Sequence, residues 1–195
     1  KGNLAFLDNS KFTSYLGNLT GADNTILFIK NSQVNLAGNG TPVDVSVAAN
    51  QTGMQIEGTS STLEGIKDIT LGQNSTAIYL KNGNLTFTAD KISSTSNNAK
   101  AIIALNSELT NNAKIDLSGD NSVGIFSKGD TAAGYPVGAN TYKGSVLNKG
   151  TITSTGKAIG ITYNGTGSGV TDTRVTNETA GKINLAGEGS VGIYG

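Results

Sequence analysis

The sequence predicts an all-β chain, a parallel β-helix of about eight coils. Three observations lead there. Segments of similar sequence recur with a base period of about 22–24 residues. Short runs alternate apolar and polar residues, and no segment keeps helical spacing over three turns. Turn-forming residues are abundant: Gly 27, Asn 22, Thr 24 and Ser 18 make up nearly half of the 195 residues. Leu, Ile, Val and Phe still exceed the ~20% below which a chain is expected to stay disordered, so a core can form.

The repeats fall in one frame. GQNSTAIY at 72–79, GDNSVGIF at 119–126 and GEGSVGIY at 187–194 align directly, and KIDLSGDNSVGIF at 114–126 shares eight of thirteen residues with KINLAGEGSVGIY at 182–194. The alignment gives one apolar anchor per coil: Ala5, Leu27, Ile56, Ile78, Ile102, Ile125, Ile161 and Ile193. Where anchors lie further apart than the base period, insertions are expected at 38–53, 128–149 and 164–174. Between anchors lie Val34–Leu36, Ile69–Leu71, Leu85–Phe87, Ile115–Leu117 and Ile183–Leu185, each with a polar residue in the middle. Such a triplet turns two side chains inward and one outward. Each piece is too short to bury a face alone, so the pieces must stack. Eight coils at the strand spacing of ~4.8 Å give a rod ~40 Å long.

Competing repeat folds fit less well. The leucine-rich frame L-x-x-L-x-L-x-x-N is absent, propeller blades need a longer period, and the G-G-x-G-x-D calcium repeat does not occur. The residue after the anchor is aromatic in five coils: Phe6, Phe28, Tyr79, Phe126 and Tyr194. That column is expected as a packed ladder, or else as an exposed track for sugar rings. Asn9, Asn31, Asn82 and Asn106 are expected either to stack as an amide ladder or to serve their own turns.

Composition excludes much chemistry. The chain has no Cys and no His, which removes disulfides, thiol catalysis, Cys/His zinc sites and imidazole triads. Lys plus Arg equals Asp plus Glu at 14 each, and Arg174 is the one arginine, so the basic footprint of nucleic-acid binding is missing. The longest aliphatic run, Ala101–Leu105, is far short of the ~20 residues that span a bilayer. Asp116 and Asp120 flank a turn, but their repeat counterparts are Asn184 and Glu188, which suits a solvated turn better than an acid pair. No catalytic residue, metal site or cofactor is expected.

The combination of KIDLSG, GDNSVGIF, KGTITSTGKAIGI and KINLAGEGSVGIYG resembles the passenger domains of large fusobacterial autotransporter adhesins. The resemblance implies a right-handed β-helical passenger of the type V secretion pathway, displayed at the bacterial cell surface and held by a C-terminal barrel. Residues 1–195 would be one β-helix segment excised from such a passenger. Its partners would be host-cell glycans, protein receptors or surface molecules of another bacterium. The resemblance carries no ligand-binding residue onto this sequence.

Recognition is expected on the insertions, because loops on a rigid scaffold carry most binding. Ile125 and Ile161 are consecutive anchors, so the second and third insertions should leave the same corner on adjacent coils. They bring Asp130, Tyr135, Tyr142, Lys143, Asp172 and Arg174 toward one surface. Tyr faces stack on sugars, and Asp and Arg make directional hydrogen bonds. The plainer alternative is that both insertions are tolerated surface loops, with ligand binding elsewhere in the protein. A polysaccharide-cleaving enzyme is the third reading.

Overall fold

The computed structural model describes residues 5–14, 17–20, 24–130, 144–166 and 174–195. Every strand pairing in it is parallel, and each coil except the last contributes three strands. Coil 1 holds β1 (Ala5–Asp8), β2 (Lys11–Thr13) and β3 (Leu19–Thr20). Coil 2 holds β4 (Thr25–Lys30), β5 (Gln33–Asn35) and β6 (Val43–Val47). Coil 3 holds β7 (Thr52–Glu57), β8 (Thr62–Glu64) and β9 (Ile66–Leu71). Coil 4 holds β10 (Thr76–Lys81), β11 (Asn84–Phe87) and β12 (Lys91–Ser94). Coil 5 holds β13 (Lys100–Leu105), β14 (Glu108–Asn111) and β15 (Lys114–Leu117). Coil 6 holds β16 (Ser122–Asp130), β17 (Val146–Asn148) and β18 (Thr151–Ser154). Coil 7 holds β19 (Ala158–Thr166), β20 (Val175–Asn177) and β21 (Lys182–Leu185), and coil 8 holds β22 (Val191–Tyr194).

Strands of like position stack into three walls, so the fold is a parallel β-helix. The first wall is one eight-stranded sheet from β1 to β22. The third is one seven-stranded sheet from β3 to β21. The second is divided into β2-β5-β8 and β11-β14-β17-β20. Seven of the eight anchors stand in one column: Ala5, Leu27, Ile78, Ile102, Ile125, Ile161 and Ile193. In coil 3 the column is occupied by Met54, while Ile56 pairs with Ile29 and Leu80 two residues on. Both Met54 and Ile56 are fully buried, because a shift of two residues keeps a side chain on the same face of a strand.

The inward columns make one continuous core, in which Phe87, Ile69, Ile78, Ile92, Ile102 and Ile125 are wholly buried. Each such side chain contributes roughly 1.5–3 kcal/mol of transfer free energy. Ile193 occupies the same column but is 50% exposed, since coil 8 has a neighbour on one side only.

Polar side chains tie coil to coil at the corners. Asn9, Asn31, Asn82 and Asn106 all adopt positive φ between 46° and 50°, so each stands at a turn position. Amide ladders run through other asparagines. Asn98 donates to Asn74 (2.9 Å) and Asn74 to Asn50 (3.0 Å). A buried ladder runs from Asn111 to Asn148 (2.9 Å) and from Asn148 to Asn177 (2.7 Å). Serine hydroxyls form a further stack: Ser32 Oγ accepts from the Ser10 amide, and Ser61 Oγ from the Ser32 amide.

The segment 38–53, expected as an insertion, contains β6, whose Val43, Val45 and Val47 face the core. It is wall, and the extra length of coil 2 sits in the turn between β5 and β6. A shorter irregularity escaped the repeat alignment. Gly58–Ser61 lengthens the corner between β7 and β8 relative to Asn31–Ser32, which makes the same passage in coil 2.

Candidate recognition surface

In coils 1, 2, 4 and 5 the first wall ends at a left-handed residue: Asn9, Asn31, Asn82 and Asn106. Coil 3 turns there at Gly58, with φ +85°. Coils 6 and 7 place Gly129 and Gly165 at the same register, and their strands continue past the corner. β16 and β19 stay paired through Lys128 with Asn164, Gly129 with Gly165 and Asp130 with Thr166. They form a two-stranded extension from which the second and third insertions depart side by side.

The base of the larger insertion is closed. Ser127 Oγ donates to the Gly144 carbonyl (2.6 Å). Gly144 has φ +68°, and a Cβ there would approach the Gly129 amide nitrogen to 2.8 Å. The returning chain therefore lies against the departing one, and only a glycine fits between them. The second return is anchored at Arg174, whose carbonyl accepts from the Val146 amide (2.9 Å) and whose side chain is exposed.

Among the expected contact residues, Asp130 ends β16 and Arg174 precedes β20. β17 and β20 are adjacent in the second wall, so both insertions leave one sheet and return to one sheet. Tyr135, Tyr142, Lys143 and Asp172 lie outside the described residues, as does the side chain of Asp130.

The aromatic column points outward. Phe6 and Phe28 stack with centroids 4.9 Å apart and planes at 22°. Phe28, Tyr79 and Phe126 are half-buried within the outer surface of the first wall, while Phe6 and Tyr194 at its ends are about 60% exposed. In coil 3 the column holds Gln55, not Glu57, following the Met54 register. Two residues further on runs a row of mostly charged side chains: Asp8, Lys30, Glu57, Lys81, Leu105, Lys128 and Asn164. Lys30 pairs with Asp8 at 3.5 Å, and Gln55 donates to Glu57 at 3.1 Å.

A groove of about 400 Å³ that the repeat spacing does not reveal lies where the second wall divides, between β8 and β11. Glu64, Glu108, Thr62, Asn84, Thr86 and Thr110 line it. Its sequence signal is the added Gly58–Ser61 corner, which precedes β8, the strand that pairs with β5 but not with β11.

The acids considered for catalysis serve the scaffold. Asp116 accepts from Thr153 Oγ1 of the next coil (3.0 Å) and pairs with Lys114 (3.6 Å). Asp120 accepts from the Lys157 amide (2.9 Å). Among the described residues no group of three acids is placed to hold a metal ion, and no helix is long and apolar enough to cross a membrane. Comparison of the chain with protein-family models, curated proteins and solved structures finds no match.

Proposed function

We propose that the chain is a segment of a bacterial cell-surface autotransporter adhesin, acting in attachment to host cells or in coaggregation with other bacteria. In this reading the β-helix is a stiff spacer that presents its insertions. The partners are host glycans, protein receptors or surface molecules of a partner bacterium. The role is recognition without catalysis, without nucleic acid and without insertion of this segment into a membrane. The observation that carries the reading is the paired extension of β16 and β19. A scaffold alone would turn at Gly129 and Gly165 as its neighbours do at asparagine. Continuing both strands holds two insertions together, which favours a shared contact surface.

The test applies the 195-residue chain to human epithelial and immune cells and to partner bacteria. A second form has 131–143 replaced by a short Gly-Ser turn. The parent is expected to bind, and the folded replacement to lose most of that binding. Binding by neither form would leave only a stalk segment. Full binding by both would remove the insertions from recognition. Cleavage of a polysaccharide, with or without calcium, would reject the non-catalytic role.

A further inference from the structure

The three walls differ in what they turn outward. The outward positions of the second wall include Thr62, Glu64 and Asn84, and those of the third include Ser93, Lys114 and Asp116. The first wall turns out a mostly apolar stripe, one residue per coil. It consists of Phe6, Phe28, Tyr79, Ile103, Phe126 and Tyr194, with Gln55 in coil 3 and Thr162 in coil 7. Phe6 stacks on Phe28, so the stripe is continuous across coils 1 and 2. Eight strands ~4.8 Å apart, with about six residues at ~3.3 Å each, give a face of ~38 by ~20 Å, or ~750 Å². Two such faces together bury ~1,500 Å², the size of a standard specific interface.

The row of mostly charged side chains flanks this stripe two residues further along each strand. Within one copy the row has no single sign. Lys30 is bound to Asp8, and Glu57 stands in register between Lys30 and Lys81. What the row fixes is register. A two-fold axis along the strands, between coils 4 and 5, would set coil 3 of one copy against coil 6 of another, and coil 4 against coil 5. Glu57 then lies opposite Lys128, Lys81 opposite Leu105 and Lys30 opposite Asn164. The same axis sets Tyr79 against Ile103 and both polar stripe residues against rings, Gln55 on Phe126 and Thr162 on Phe28. The most exposed rings, Phe6 at 59% and Tyr194 at 60%, cover each other. A shift of one coil loses the match. In one direction it brings Lys81 onto Lys81 and Lys30 onto Lys128, and in the other it brings Lys81 onto Lys128.

We propose that the outward face of the first wall is a self-association surface, on which a second copy of this chain packs antiparallel to form a two-fold dimer. Every contact then occurs twice, as an interface of this symmetry requires. Burial of the stripe supplies the attraction. The charged row selects the register, because opposed lysines disfavour the shifted arrangements. A different partner would have to bring its own match to this order of charges, whereas a second copy carries the match on the same face. The surface is separate from the insertions and does not depend on them.

The experiment follows the 195-residue chain by sedimentation velocity and small-angle X-ray scattering over a concentration series. A reversible dimer is expected, with a maximum dimension close to that of one rod. Ile103→Lys, at the centre of the stripe, and separately Glu57→Lys, which opposes Lys128 with a like charge, are each expected to weaken the dimer about tenfold or more. Adding Lys128→Glu to Glu57→Lys restores the opposite charges in the proposed register and is expected to recover most of the affinity. Circular dichroism and thermal unfolding confirm that each variant is folded. The Gly-Ser replacement of 131–143 is expected to dimerise as the parent does, whatever it does to cell binding. A parent that stays monomeric at about 1 mM, a dimer of doubled length, or no rescue in the folded charge-swap variant would each overturn the proposal. So would loss of the dimer in the loop replacement. A monomeric parent whose Ile103→Lys variant loses cell binding would assign the stripe to a foreign partner and overturn it as well.

Discussion

Asn148 is wholly buried, and its amide serves three neighbours. It accepts from Asn111 (2.9 Å) and donates to Asn177 (2.7 Å) and to the Gly150 carbonyl (3.0 Å). Asn148→Leu keeps the volume and removes all three bonds, which cuts the ladder at its buried centre. A loss of about 1–3 kcal/mol is expected in urea unfolding. Asn112→Leu, exposed at the corresponding corner of coil 5, should stay within ~0.5 kcal/mol. Ile125 is also fully buried, stacked between Ile102 and Ile161. Ile125→Asn opens a cavity and buries an unpaired amide, so a loss above about 3 kcal/mol is expected in the same measurement. An unchanged unfolding midpoint would reject the anchor column. Most of that column was readable from residue type alone. Met54 was not, because Ile56 fits the consensus better and faces the same way. The ladder asparagines were equally hidden. Asn50, Asn74 and Asn98 are left-handed turn residues that also stack, and only the register of adjacent coils shows which asparagines do both.

Among elements, the insertions differ in how the scaffold holds them. The larger one departs at Gly129 and returns at Gly144, with Ser127 bonded to the Gly144 carbonyl. Its ends are already together, so shortening it removes little loop-closure entropy. Replacing 131–143 by a Gly-Ser turn should therefore shift stability by less than ~1 kcal/mol, as read by thermal unfolding. A large loss would mean that the insertion packs on the rod. The position of this loop and of the third insertion was legible, since both lengthen the interval between clear anchors. Segment 38–53 was drawn too wide: the extra length of coil 2 is the turn between β5 and β6, and the anchor shift in coil 3 added two residues to it. The same shift concealed the Gly58–Ser61 corner and so the groove beside it. The direction of the aromatic column was also beyond the sequence, because alternation fixes which residues share a face but not which face meets the core.

At the scale of the molecule, each coil depends on the coils on either side. In the first wall, amides in coils 4 to 6 have stacked neighbours in both directions, whereas coils 1 and 8 have them on one side. Hydrogen exchange should be slowest at Ile78, Ile102 and Ile125, and fastest at Phe6 and Tyr194. Uniform protection along the rod would contradict nearest-neighbour stacking. The whole-chain architecture was the most legible level, because many weak repeats agree on one period and no single residue has to be right.

The division of the second wall has a mechanical consequence. Two walls carry an unbroken ladder from end to end, but the ladder between β8 and β11 is missing. A beam with one slotted side bends most easily about the edge opposite the slot. Coils 1 to 3 should therefore tilt against coils 4 to 8 as a stiff segment on a shallow hinge, with the groove as its opening side. Under tension along the axis, the first yielding event should fall at this seam. Force spectroscopy with handles at the two ends would detect it as an early, small extension, and a crosslink engineered across the groove between β8 and β11 should abolish that step. A rod that yields first at either end, with or without the crosslink, would show that the two intact walls alone set its stiffness.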